Sequence, residues 1–172
     1  MCWMCDHHKA TRQDYLHHIE SLVARAGWAV QGVERDRVRP PYAYTVGLTP
    51  HGKPELVVTG MSLPRAAELL NDVAIHVLHA VAPEPGERVP LIDGPVVEFV
   101  EVSVPSAHLV VASELYGPSI RALQVVHADD RGRWPWEIGF RGVKGGQPVL
   151  GARADTAIQS PGHRPAGSRQ LW

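Results

Sequence analysis

Cysteine is nearly absent from the 172-residue chain; Cys2 and Cys5 are the only two. A disulfide-built framework is therefore excluded, and a chain of this length can bury a core without one. Charge of one sign is also missing. Lys plus Arg total 17 and Asp plus Glu 18, leaving a formal net charge of −1. Without a basic excess, binding to nucleic acid or to an acidic membrane through phosphate contacts is not expected. No run approaches the roughly 18 apolar residues that a membrane-spanning helix needs. The first residues carry neither a basic start nor an apolar stretch, so no secretory signal is read there and a cytoplasmic location is expected. Several chemical signatures are lacking as well: a nucleophile elbow, a phosphate-binding loop, a dinucleotide fingerprint and a HExxH pair.

What the chain does have is sixteen glycines and fifteen prolines, with 44% hydrophobic residues. Thr11 followed by Asp14 resembles a capping box, and Tyr15, Leu16, Ile19, Leu22, Val23 and Ala26 recur at helical spacing up to Gly27. Strand patterns follow at 28–33 and 42–48, the latter with Tyr42, Tyr44, Val46 and Leu48 on one side and Ala43, Thr45 and Gly47 on the other. The continuous apolar run at 56–59 predicts a central strand. Ser62 and Pro64 open a second helix whose stripe is Ala66, Leu70, Val73, Ala74, Val77 and Val81. Pro83, Pro85, Pro90 and Pro95 mark a long loop. The stretch 96–104 is strand-like, and Glu98 and Glu101 break its alternation, which predicts a bulge or an edge. Residues 107–116 favour a short helix, and 123–126 read as a further strand. These elements predict an α+β domain over residues 1–151. Its sheet is mostly antiparallel, could close into a small barrel, and is flanked by two main helices. Residues 152–172 lack periodicity and are expected to form a disordered tail.

Two places could carry chemistry. Cys2 and Cys5, spaced CxxC, with His7 or His8 nearby, could supply part of a tetrahedral zinc site. They could also cycle as a redox dithiol, or be idle thiols. A zinc site completed by a second chain would make a homodimer. The second place runs from His127 through Arg131 to Trp134 and Trp136. Its rings and cations offer stacking and cation–π surfaces for a flat or anionic small molecule, and Tyr44 on its strand could add to that pocket.

The stretches MCWMCD at 1–6, GWAVQGVERD at 27–36, PPYAYTVGLT at 40–49, KPELVVTGM at 53–61, AAELLNDVA at 66–74, ALQVVHADDRGRWPW at 122–136 and GQPVLG at 146–151 occur in order. Together they resemble the bacterial, chiefly actinobacterial, domain of unknown function family 4262. The resemblance implies no catalytic residue. It does imply that Cys2, Cys5, the 42–48 strand and the Trp134-Pro135-Trp136 segment belong to the family pattern. Three functions are compatible with the residues: a small-molecule binding or sensor domain with Tyr44, His127, Arg131, Trp134 and Trp136 as ligand residues, a zinc- or dithiol-dependent enzyme, and a zinc-linked interaction module.

Overall fold

Local signals close the first helix at both ends. In the computed structural model, which describes residues 7–91, 94–142 and 144–154, α1 spans Arg12–Ala26. Thr11 and Asp14 exchange the two hydrogen bonds of a capping box, and Gly27 ends the helix in the left-handed region, its N–H on the Val23 carbonyl. Both devices satisfy backbone groups that a helix end leaves open.

Six strands follow: β1 Ala29–Val33, β2 Tyr42–Val46, β3 Glu55–Thr59, β4 Arg88–Pro90, β5 Val96–Glu101 and β6 Ala122–His127. Helix α2, Leu63–His79, lies between β3 and β4, and the short α3, Val110–Tyr116, lies between β5 and β6. The strands form one sheet in the order β1-β2-β3-β6-β5-β4. Among the described residues four neighbour pairs are antiparallel, and β3 and β6 alone run parallel. The fold is thus α+β with a mostly antiparallel sheet, as the residue pattern predicts.

Barrel closure does not occur. The edge strands β1 and β4 have no common partner. Layers on both faces bury the sheet, which removes the need to close it. On one face α2 places Ala66, Leu70, Val73, Ala74 and Val77 against Ala43, Leu56, Val58, Phe99, Leu123 and Val125. Each large side chain buried this fully contributes roughly 1.5–3 kcal/mol. On the other face Tyr15 and Ile19 of α1 and Val111 and Ala112 of α3 pack against Tyr44, Val46, Val57 and Ala122. Trp134 completes that face against Val100 and Val126.

The β5 strand corrects a second expectation. It is neither an edge nor bulged, because its register with β6 and with β4 is continuous. Glu98 breaks the apolar alternation for another reason: it is fully buried and ion-paired to Arg88 and Arg153. Arg153 lies beyond the expected domain end at residue 151 and still packs on the domain. Between them, Gly151 passes so close to β5 that a Cβ there would sit 1.9 Å from the Glu101 carbonyl. Among the described residues no helix is long and apolar enough to cross a membrane.

Candidate functional site

Where the chains leaving two adjacent parallel strands go to opposite faces of the sheet, a crevice opens at the carboxyl ends of those strands. Here β3 ends at Thr59 and β6 at His127, and the crevice is a cleft of about 610 Å³. Its walls come from three directions. Gly60, Met61, Ser62 and Arg65 lead from β3 into α2; Gly94 and Pro95 lead into β5; His127 to Asp130, with Arg141 and Gly142, follow β6.

The local sequence explains each wall. Gly60 has φ +73°, and a Cβ on it would lie 2.5 Å from the Gly146 carbonyl, so only glycine fits this exit from β3. Ser62 is the N-cap of α2 by position, but its side chain makes no capping bond. The first-turn N–H groups of the helix are left without intrahelical partners, as in any α-helix, and they carry the positive end of its dipole. Arg65, one turn in, is exposed at the rim.

The opposite wall is built around Asp129. Its carboxylate accepts the backbone N–H of Arg131 and Arg133 on one oxygen and that of Arg141 on the other. Burial opposes the charge, but the N–H groups of Arg133, Arg141 and Arg131 outweigh it and hold the carboxyl at about 2. The Arg133 guanidinium adds an ion pair at 3.3 Å. Asp129 is therefore spent on shaping the loop and brings Arg141 to the cleft.

His127 is held from behind. The buried Gln147 side chain accepts the His127 N–H and donates to its carbonyl, both at 2.9 Å, replacing a missing strand. The His127 ring has Nδ1 3.3 Å from the Ala128 carbonyl, while Nε2 is shut from solvent and makes no hydrogen bond of ordinary geometry. Burial lowers its pKa first of all. The carbonyls of Ala128 and Thr59 and the charge of Asp130 pull the other way, and Arg65 adds to the lowering. The neutral imidazole is thus the resting form at neutral pH, with groups in place that favour the cation.

Of the residues expected to bind a ligand, His127 alone lines this cleft. Tyr44 lies on the other face of the sheet, nearly buried, its hydroxyl accepting the Val111 N–H at 3.2 Å. Burial pushes its pKa well above the usual phenol range. Arg131 is exposed in the turn after β6. Trp134 and Trp136 stack on each other, centroids 5.3 Å apart and planes 2° apart. Their faces take the chain's own cations: Arg88 sits 4.6 Å from the Trp134 centroid and Arg153 3.6 Å from that of Trp136. Glu98 ties both arginines, at 2.7 Å and 2.9 Å, so the stack is internally satisfied. Cys2 and Cys5 lie outside the described residues, and His7 is exposed. Among the described residues no three His, Cys, Asp or Glu converge as metal ligands.

The sequence reading missed Gly60, Arg65, Gly94, Arg141 and Gln147. Thr59-Gly60 followed by the Ser62 helix start was legible as a strand-to-helix exit. Its meeting with the end of β6 depends on the pairing of Glu55 with Ala122, which no local pattern encodes.

Residues 22–141 match the family described as Domain of unknown function (DUF4262). No curated protein and no solved structure matches the chain.

Proposed function

The chain belongs to this family of domains of unknown function, and we propose that it is a small-molecule binding domain whose site is the cleft at the ends of β3 and β6. One observation carries the reading. A cleft of about 610 Å³ sits where the single parallel strand pair diverges. That volume falls within the range of metabolite pockets, and that position is where open sheets with parallel strands place ligands. The rim chemistry supports it, since Arg65, Arg141, Asp130 and Ser62 surround a wall containing His127. The Trp134–Trp136 stack is not the site in this reading, because its faces hold Arg88 and Arg153.

A ligand-observed saturation-transfer NMR screen with charged and neutral metabolites tests the proposal. Hits are expected, and they should vanish in Ser62→Trp, which fills the cleft mouth from an exposed position. Hits that persist in Ser62→Trp, or a screen with no hits, would overturn it.

A further inference from the structure

Charges that find partners inside a fold are structural, whereas unpaired charges that converge on one cleft are available to a ligand. Arg12, Arg39, Arg88, Arg121, Arg133 and Arg153 all pair with carboxylates of the chain. Among the described residues Arg65 and Arg141 form no ion pair, and both line the cleft, from opposite walls. The charge of Asp129 is offset within the fold by Arg133. Asp129 is held by three backbone N–H groups and Arg133, so that among the described lining residues Asp130 is the carboxylate without an ion pair. Glu68 and Asp72, further along α2, line an adjoining depression that shares Met61, Arg65, Gly94 and Pro95 with the cleft, and neither carboxylate forms an ion pair with Arg65. The first turn of α2 faces the same space through Ser62 and Arg65, adding the positive end of a seventeen-residue helix.

We propose that the cleft holds its ligand by an anionic group, a phosphate or a carboxylate, gripped between Arg65 and Arg141. The inference rests on the cleft being the binding site and adds the chemistry of what it binds. A cleft of about 610 Å³ exceeds a lone inorganic anion, so the anionic group belongs to a larger metabolite. Guanidinium groups from two walls suit a planar carboxylate or a phosphate through paired N–H donors.

Calorimetric titration of the full chain with inorganic pyrophosphate and with citrate tests the inference, the two probes separating phosphate from carboxylate. Saturable binding of one of them is expected. It should weaken at least about ten-fold in R65A/R141A and stay unchanged in R131A, an exposed control outside the cleft. An unchanged thermal transition of R65A/R141A would show that the variant folds. Equal weakening by R131A, or binding indifferent to R65A/R141A, would overturn the inference. If neither probe binds while neutral metabolites are still expelled by Ser62→Trp, the anionic assignment fails and the cleft reading survives. If nothing is expelled either, both fail.

Discussion

The Trp134–Trp136 stack and the His127 cleft are close in sequence and opposite in character. One lies on the α1–α3 face of the sheet, among Val100 and Val126. The other opens at the strand ends beside α2. In the stack every ring face and cation has a partner: two rings, two guanidinium groups and one buried carboxylate. In the cleft the guanidinium groups of Arg65 and Arg141 stay without an ion pair, beside the His127 imidazole. The residues that most suggest recognition, Trp134 and Trp136 with Arg88 and Arg153 on their faces, are here partnered with one another. Less conspicuous ones, a glycine exit and two rim arginines, form the open site.

Substitutions can separate the two regions. Glu98→Ala should have the largest effect. It removes the one carboxylate that serves both Arg88 and Arg153, and it should cost about 3 kcal/mol, less than a fully buried pair would, because both arginines can reach water. Urea unfolding checks this, and a loss near zero would mean that the stack stands without its anion. Gln147→Ala should come next, at about 2 kcal/mol, because it strips partners from the His127 N–H and carbonyl at once. Hydrogen exchange at the His127 amide should rise with it; protection that survives would place its partner elsewhere.

A smaller effect concerns pH. The folded His127 pKa lies below its ordinary value near 6.5, chiefly through burial. The unfolded chain therefore takes up the proton first as pH falls through that value, so stability declines from there down to the folded pKa and is unaffected well above the ordinary value. His76 and His108, also lowered by burial, add in the same direction. Comparing unfolding at about pH 7.5 and about pH 5.5 should show the decline, reduced in His127→Gln. An identical decline in that variant would remove His127 from the account. Arg65→Ala with Arg141→Ala should change stability least, within about 0.5 kcal/mol, since both are exposed and unpaired.

The sequence yields what depends on near neighbours. Thr11 with Asp14 and Gly27 mark both ends of α1 by interactions a few residues long, and α2 begins after Ser62 with Pro64 in its first turn, although the Ser62 side chain makes no capping bond. The apolar run at 56–59 reads as a central strand, and every residue of β3 is buried. Reading fails where partners are distant. Glu98 looks like an irregularity until Arg153, fifty-five residues on, is placed against it. Arg65 and Arg141 line one cleft because β3 and β6 run side by side and Asp129 holds the Arg141 N–H.

The contrast between an occupied stack and an open cleft can be read in one spectrum. In an amide and indole correlation spectrum of the full chain titrated with pyrophosphate, the Gly60, Ser62, Arg65, Ala128 and Gly142 amides should shift together. The Trp134 and Trp136 indole N–H signals should stay in place. Movement of the two indole signals with the cleft amides still would contradict the account.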